Sequence, residues 1–281
     1  MTTRVERHLT RCVKANRGII SRELQAGLRN IGVNLSDSSV RRSLIKLGYN
    51  GRRPGAKPKL TDAMKAKRLA WAKKYVDWTE DDWLKVGFSD ESTLRILEDR
   101  RYWIRRRPDE EFYQDCIRQT VKHPTSQMIW SVISGKGTGR LHIVTGNMNA
   151  EKYLDVLKTR LVPQLRDWYG SAYPPHFIYM HDGTPCHKAK CITKALRDDL
   201  KLKVLDWPEN SPDMNPIENL WGMLKVKISK DNPATRNALI GSLIKYWHRD
   251  ESISAACQTL IRSMPRRVAA CVAAKGGLTK Y

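Results

Sequence analysis

Apolar residues alternate with polar or small ones along residues 84–90, which is the periodicity of a β-strand. Continuing that alternation places Asp90 on the same face of the strand as Phe88. A second apolar run, over residues 177–180, stops abruptly before Asp182 and predicts another strand. An aspartate that follows a strand is commonly a turn former or a helix cap. Each of the two aspartates therefore has a purely structural interpretation when it is considered alone.

A helix with one apolar face is predicted to begin at Asn215, since apolar residues then recur at helical spacing from Ile217 onwards. Asn215 can cap this helix, and Pro216 suits its first turn. Glu218 lies in the same turn, where its side chain could reach back to the amide of Asn215 in a capping box. The other interpretation joins Glu218 to the two aspartates, because three such carboxylates can hold a pair of divalent metals for in-line displacement at phosphate.

Residues 1–50 predict three short amphipathic helices, and the third runs from a cap at Ser36 to a stop at Gly48. The exposed face of this third helix carries small polar and basic residues: Ser38, Ser39, Arg41, Arg42 and Lys46. Such a helix is typical of a helix-turn-helix, in which polar residues approach base edges and arginines reach guanine or phosphate. On the pattern alone, a three-helix bundle with a solvated charged face stays open.

Charge favours the DNA-binding interpretation. The formal net charge is +22 at pH 7, and the sequence pI is about 9.9. Residues 1–60 hold 14 Lys and Arg against 3 Asp and Glu, a net charge of +11. Such a field favours nucleic acid or an acidic membrane surface. The membrane is the weaker choice, because the sequence has neither a signal peptide nor a continuous apolar run long enough to span a bilayer.

Two further basic segments are candidate DNA contacts. Residues 50–60 form a linker in which glycine and proline oppose a helix, and its basic residues are Arg52, Arg53, Lys57 and Lys59. These side chains could enter a minor groove or contact phosphates, serve as a nuclear localisation signal, or simply be solvated. The second segment, Arg105, Arg106 and Arg107, could hold phosphates or be an exposed strand end. Between these two segments, a helix over residues 61–78 is predicted to carry Arg68 on its polar side.

Three blocks of the sequence resemble the catalytic blocks of the Tc1/mariner transposases, most closely the Tc1-like branch. They are F-S-D-E-S at 88–92, H-D-G-T-P-C-H at 181–187 and S-P-D-M-N-P-I-E-N-L-W at 211–221. The resemblance implies an α/β chain: a ribonuclease-H-like catalytic domain, with a mixed sheet flanked by helices, preceded by a small all-α helix-turn-helix domain. The expected limits are 1–49 for the helix-turn-helix domain, 50–60 for the basic linker and 61–281 for the catalytic domain. The implied catalytic and metal-binding triad is Asp90, Asp182 and Glu218, with two Mg²⁺ or Mn²⁺ ions.

Departures from the family pattern occur at the second block and at the N-terminus. Gly183 and Thr184 stand where the family commonly has Asn-Ala, and the 35 residues between Asp182 and Glu218 are one more than is typical. The cluster of His and Cys at 181–191 matches no usual zinc spacing, and the resemblance accounts for two of its members without zinc. The N-terminal module resembles the second of the family's two helix-turn-helix subdomains. We therefore expect a member that lacks the first subdomain.

The resemblance implies a DNA transposase that performs cut-and-paste transposition at TA dinucleotides. Its expected partners are double-stranded DNA, as transposon inverted repeats and as target, and a second copy of the chain. The expected location is the nucleus, without membrane attachment. Two other functions stay open at this point: a domesticated or truncated sequence-specific DNA-binding protein without transposition activity, and a ribonuclease-H-like nuclease without strand transfer.

Overall fold

The structure is a computed structural model that describes residues 2–52, 58–96, 107, 113, 125–170 and 176–281. It contains two compact units, Met1–Lys57 and Pro58–Tyr281. The finer limits of 1–49, 50–60 and 61–281 stay predictions. Among the described residues, no helix is sufficiently long and apolar to cross a membrane.

The first unit is a bundle of helices around one small apolar core. Its helices are α1 (Thr3–Ala15), α2 (Ser21–Arg29) and α3 (Asp37–Lys46). The core consists of Val5, Leu9, Val13, Leu24, Leu28 and Val40. Ser36 caps α3 as predicted, because its Oγ accepts a hydrogen bond from the amide of Ser39 at 3.2 Å. Gly48 follows the helix with φ +79°, a left-handed conformation that ends helices and favours glycine.

The second unit is built on a mixed β-sheet. Its strands are β1 (Val86–Arg95), β2 (Ser126–Ser134), β3 (Gly137–Thr138), β4 (His142–Val144), β5 (Ile178–Met180) and β6 (Lys203–Val204). The strand order is β3-β2-β1-β5-β6, and β4 also pairs with β2. β1 is antiparallel to β2 and parallel to β5, and β5 is parallel to β6. The prediction of a mixed sheet is therefore confirmed.

Asp90 does not end its strand, contrary to the sequence prediction. β1 continues through Asp90 to Arg95, because β2 pairs with it along this whole length, from Phe88 opposite Ile133 to Arg95 opposite Ser126. The polar residues that suggested a strand end are accommodated because β1 has lost its other neighbour by then. Pairing with β5 stops at Phe88, so Asp90 is paired with β2 and not with β5.

Helices cover both faces of the sheet. They are α4 (Asp62–Lys74), α5 (Glu80–Leu84), α6 (Ala150–Val156), α7 (Val162–Tyr169), α8 (Lys190–Lys194), α9 (Pro216–Asp231), α10 (Arg236–Arg249), α11 (Glu251–Arg262) and α12 (Met264–Ala273). Phe88, Ile133 and Leu220 belong to the core shared with α4, α5 and α9–α12. Val132 and Tyr179 belong to a second core, shared with α6–α8. Adjacent residues of β2 thus enter different cores, as strand alternation requires.

Arg68 of α4 is fully buried, and its predicted place on the polar side of the helix is wrong. Its two terminal nitrogens donate to Asp213 Oδ1 and Oδ2 at 2.9 and 2.8 Å, while Nε donates to the carbonyl of Gly276 at 2.9 Å. A guanidinium is almost never buried unless it is paired. The carboxylate of Asp213, distant in sequence, therefore explains why the polar side of α4 can turn inward.

Candidate active site

The sheet register brings the two predicted aspartates to the same edge. Phe88 of β1 lies opposite Met180 of β5 in a parallel pair, and Asp90 and Asp182 each follow two residues later. Neighbouring strands lie about 4.8 Å apart, so this register carries the two carboxylates forward side by side. Helix α9 packs against β1 and adds Glu218 from its first turn. All three side chains line one cavity of about 390 Å³.

The start of α9 resolves the alternative interpretation of Glu218. Asn215 caps the helix by accepting a hydrogen bond from the amide of Ile217 at 3.4 Å. The amide of Asn215, which a capping box would engage, donates instead to the carbonyl of Pro212 at 3.1 Å. Glu218 therefore lines the cavity beside the aspartates rather than closing a capping box.

Trp221 fixes the orientation of Asp90. It lies one helical turn after Glu218, so that both side chains leave the same face of α9. Its indole Nε1 donates a hydrogen bond to Asp90 Oδ2 at 3.2 Å, and its ring stacks on Trp247 with centroids 4.8 Å apart. Helix α9 thus contributes both Glu218 and the indole donor that orients Asp90.

The surroundings of Asp90 disfavour its negative charge. Burial raises the pKa of Asp90 well above its usual value, and the neighbouring charges of Glu218, Glu91 and Asp182 raise it further. Burial also raises the pKa of Glu218, with Asp182 adding to the effect and Lys225 opposing it. The cavity therefore concentrates acid groups whose mutual repulsion a cation would relieve.

Asp182 has different partners. Burial would raise the pKa of Asp182, but hydrogen bonds from His187 Nδ1 at 2.7 Å and from the amide of Thr184 at 3.1 Å lower it overall. His187 also contacts Glu91 Oε1 through Nε2 at 3.2 Å. Although burial opposes a charged imidazole, the two carboxylates raise the pKa of His187 to about 10. An imidazolium clamped between two acids therefore holds Asp182 in its ionised form.

Within the described residues, no three His, Cys, Asp or Glu side chains are already grouped closely enough to hold one metal ion. The hydrogen bonds just described account for the present orientations. Trp221 directs one oxygen of Asp90, and His187 directs one oxygen of Asp182.

A buried network fixes the loop that precedes Glu218. Asp213 accepts from Arg68 through both oxygens, and Thr279 adds its amide and hydroxyl to Oδ2 at 3.0 and 2.9 Å. Arg267 donates to the carbonyl of Asp213 at 3.0 Å and to Asn219 Oδ1 at 2.7 Å. Helices α4 and α12 and the C-terminal segment thereby stabilise the loop before α9, which forms one wall of the cavity.

Sequence reasoning missed three contributors to this site: Glu91, Trp221 and the Arg68–Asp213 pair. Glu91 follows Asp90 directly, and Trp221 lies one helical turn after Glu218, so both residues stand inside the blocks that resemble the family's catalytic blocks. These positions could have indicated that both side chains lie near the site. The pairing of Arg68 with Asp213 spans 145 positions, and no local pattern reports a contact of that range.

The candidate DNA-contacting residues of α3 are mostly accessible. Ser38, Arg41, Arg42 and Lys46 are exposed and Ser39 is half-buried. Arg41 is already engaged, through an ion pair with Asp37 at 2.8 Å and a hydrogen bond to Ser21 at 3.2 Å. Ser39 accepts a hydrogen bond from Ser36 Oγ at 2.9 Å and one from Arg42 at 3.4 Å. The helix therefore presents two freer basic side chains, Arg42 and Lys46, beside one that is held.

The other candidate DNA contacts are only partly visible. Arg52, Lys59 and Arg107 are exposed. Arg53, Lys57, Arg105 and Arg106 lie outside the described residues. Their roles stay predictions.

Comparison with known families matches both units. Residues 6–77 match a transposase family of the Tc1/Tc3-like helix-turn-helix type, and residues 85–240 match the DDE superfamily endonucleases. A helix-turn-helix transposase domain is thus present in this chain, whereas the expectation about a preceding subdomain stays a prediction. The fold, the acid-lined cavity and the second match define a DDE superfamily endonuclease.

Similar proteins of known function identify the family more narrowly. The chain is 34% identical over 245 residues to the transposable element Tcb2 transposase of Caenorhabditis briggsae, covering 86% of this chain and 87% of that protein. It is 30% identical over 248 residues to the Tc1 transposase of Caenorhabditis elegans, covering 88% of each. The chain therefore belongs to the Tc1/mariner family of DDE-type DNA transposases, as its three blocks predicted.

Solved structures confirm the fold. The Mos1 transposase paired-end complex with the left transposon end matches with a TM-score of 0.82 at 16% identity, over 98% of this chain and 80% of that one. The Mos1 catalytic domain matches with a TM-score of 0.62 at 16% identity, over 80% of this chain and all of that one. The predicted ribonuclease-H-like catalytic domain with a preceding helix-turn-helix domain is confirmed.

Proposed function

We propose that Asp90, Asp182 and Glu218 are the catalytic triad, and that together they hold two Mg²⁺ or Mn²⁺ ions during cut-and-paste transposition. The observation that carries the proposal is the convergence of these three acids, from two parallel strands and the first turn of α9, on one cavity. Mos1 transposase, which shares the fold, has been solved as paired-end complexes with Mn and with Mg.

The side chains of the cavity fit such ions chemically. Mg²⁺ and Mn²⁺ prefer oxygen donors and are commonly bound by one or two carboxylates together with substrate phosphates. The raised pKa values of Asp90 and Glu218 reflect crowded acids that a cation would stabilise in their ionised forms. Since Oδ1 of Asp182 accepts from His187 and Thr184, we assign its Oδ2 to the cation.

The protein's own contribution to the chemistry is positioning. When bound, the two ions would activate the attacking oxygen and stabilise the leaving oxygen of an in-line displacement. Trp221 and His187 hold the acids that define where these oxygens lie, and effective alignment depends on such fixed geometry. The Asp213 network fixes the loop that places Glu218. No covalent protein nucleophile is needed for this reaction.

DNA recognition is assigned to the first unit and the basic segments. The exposed basic side chains of α3 and the net charge of +11 over residues 1–60 suit transposon inverted repeats. The paired-end complexes of Mos1 support a dimer of this chain that brings two transposon ends together. Insertion at TA target sites and action in the nucleus complete the proposal.

The proposal is tested by metal-dependent nicking of a duplex that carries the inverted repeats flanking the coding sequence. Wild-type protein, Asp90→Asn, Asp182→Asn and Glu218→Gln are compared side by side with Mg²⁺, with Mn²⁺ and with EDTA. Glu151→Gln is the matched control, because Glu151 is an exposed acid on α6 outside the cavity. DNA affinity is measured in parallel on the same preparations.

We expect nicking by wild type and Glu151→Gln, and its loss in each triad variant with DNA affinity nearly unchanged. Retained nicking in any triad variant would remove that residue from the proposed site. Intact binding with no nicking by wild type would contradict the catalytic proposal and favour a DNA-binding protein without transposition activity.

A further inference from the structure

Gly183 leaves room for a lysine beside the catalytic cavity. A Cβ atom at residue 183 would lie 2.9 Å from Cε and 3.0 Å from Nζ of Lys188, and 3.5 Å from Cγ of Glu209. Lys188 therefore lies directly across the backbone of the residue that follows Asp182. The side chain of the asparagine that the family commonly carries at this position would begin in the same space, so the end of the Lys188 side chain would have to move.

Lys188 is held there by a weak partner. Its Nζ lies 2.7 Å from Glu209 Oε1, and the two side chains are 58% and 45% exposed. The hydrogen bond and the charge of Lys188, followed by the charge of Lys67, lower the pKa of Glu209. Exposed ion pairs of this kind contribute little to stability and are screened by salt. A stronger anion that reaches the ammonium group can therefore replace Glu209.

The location suits a polyanion that enters the cavity. Glu209, Trp207 and Pro208 line both the catalytic cavity and a neighbouring groove of about 400 Å³. The groove is bordered by three lysines: Lys67, Lys74 and Lys188. A DNA strand that reaches Asp90, Asp182 and Glu218 must bring its phosphates close to the negative charge of these acids. A lysine at the junction of groove and cavity would offset that repulsion.

We propose that Lys188 binds a backbone phosphate of the DNA strand entering the catalytic cavity, and that Lys188 pairs with Glu209 when DNA is absent. Lysine binds phosphate as a point charge on a flexible stem, so it can exchange a carboxylate for a phosphate without backbone movement. The inference rests on the proposed function in one respect, namely that DNA enters this cavity.

The test is the salt dependence of DNA binding by the full-length protein. The probe is a fluorescent 40-base-pair duplex of random sequence, since a phosphate contact is independent of sequence. Binding is measured with Ca²⁺ and again with EDTA, for wild type, Lys188→Gln and Lys190→Gln. Lys190 is the matched control: it is an exposed lysine two residues away that lines neither the cavity nor the groove.

Loss of one phosphate contact reduces the slope of log K against log salt by about 0.9. We expect that change, with weaker binding, for Lys188→Gln and the wild-type slope for Lys190→Gln. Glu209→Gln removes the competing carboxylate and should tighten binding. If Lys188→Gln and Lys190→Gln give the same slope in both buffers, the inference is wrong, whatever the triad variants do in the nicking assay.

A double-mutant cycle adds a second, independent measurement. Gly183→Asn should displace Lys188 and weaken DNA binding in the same way as Lys188→Gln. Because both changes remove one contact, the double variant should bind as Lys188→Gln does rather than showing the sum of the two losses. Additive losses would mean that residue 183 acts independently of Lys188 and would overturn the role given to the glycine.

Discussion

Asp213, in the loop before α9, and Asp90, on β1, lie in the same unit, but their surroundings are opposite. Asp213 is matched by the guanidinium of Arg68 and by two donors from Thr279, which together lower its pKa although burial alone would raise it. Asp90 accepts a hydrogen bond from the indole of Trp221, but burial and the charges of Glu218, Glu91 and Asp182 raise its pKa. The fold neutralises one carboxylate completely and leaves the other in need of positive charge.

This difference is the one expected between an acid that serves only the fold and an acid that serves a function. A buried carboxylate that serves only the fold must be paired, because an unpaired buried charge is costly. A carboxylate placed among other acids is expected where a bound cation offsets their repulsion while the protein functions. The paired acid also supports the other, since Asp213 fixes the loop that begins α9 and thus locates Glu218 and Trp221.

The largest effect is expected for Arg68→Met, which removes the positive partner of Asp213 and keeps most of the side-chain volume. Breaking a buried ion pair from one side costs about 3–5 kcal/mol, because the remaining charge stays buried. The measurement is the free energy of unfolding from urea denaturation. Arg68→Met combined with Asp213→Leu should recover much of that loss. If the double variant is as unstable as the single one, uncompensated charge is not the cause.

Arg68 also shows where sequence reasoning stops. Local patterns correctly predicted the strand that carries Asp90, although not its end, the strand before Asp182, the cap at Asn215 and the helix that carries Glu218, because periodicity and capping are properties of short segments. The same reasoning placed Arg68 on a polar surface, since within α4 alone a charged residue belongs outside. The residue that reverses this expectation, Asp213, is distant in sequence and becomes a neighbour only in the folded unit.

The resemblance supplied what periodicity could not. Spacing alone left Glu218 between a cap and a catalytic acid, and only the three blocks together joined it to Asp90 and Asp182. The hydrogen-bond partners of these acids were still missed. His187, which belongs to the cluster of His and Cys at 181–191, contacts both Asp182 and Glu91. Contacts of this kind depend on side-chain orientation within the fold, which no sequence pattern encodes.

A second prediction concerns the partner of Asp182. His187→Ala should weaken Mn²⁺ binding about 10–100-fold, because groups that orient a metal ligand typically contribute that much to metal affinity. His187→Asn keeps a donor that can reach Asp182 but not Glu91, so its loss should be smaller. Calorimetric titration with Mn²⁺ measures both. Equal affinities for wild type and both variants would show that His187 does not position a metal ligand.

The same substitution at the two compared acids gives the third prediction. Asp90→Asn should stabilise the metal-free protein by about 0.5–2 kcal/mol, a range typical of stabilising substitutions, because it removes a repelled charge. It should also remove the stabilisation that Mg²⁺ gives the wild type. Asp213→Asn should destabilise the protein with or without Mg²⁺. Thermal unfolding with and without Mg²⁺ distinguishes them, and stability changes of the same sign at both positions would show that Asp90 and Asp213 do not differ in this way.

The smallest effect is expected at the edge of the Asp213 network. Thr279→Val removes the hydroxyl that donates to Asp213 Oδ2 at 2.9 Å but keeps the backbone amide that donates at 3.0 Å. Because Arg68 still neutralises the carboxylate, the loss should be about 1 kcal/mol, the net value of one hydrogen bond. Thr159→Val is the matched control, since that exposed hydroxyl donates to the carbonyl of Asp155, only four residues earlier. Equal unfolding free energies for the two variants would mean that Thr279 adds nothing to the pairing of Asp213. A larger loss for Thr279→Val, combined with slower nicking, would show that even the outermost donor of this network contributes to the placement of Glu218.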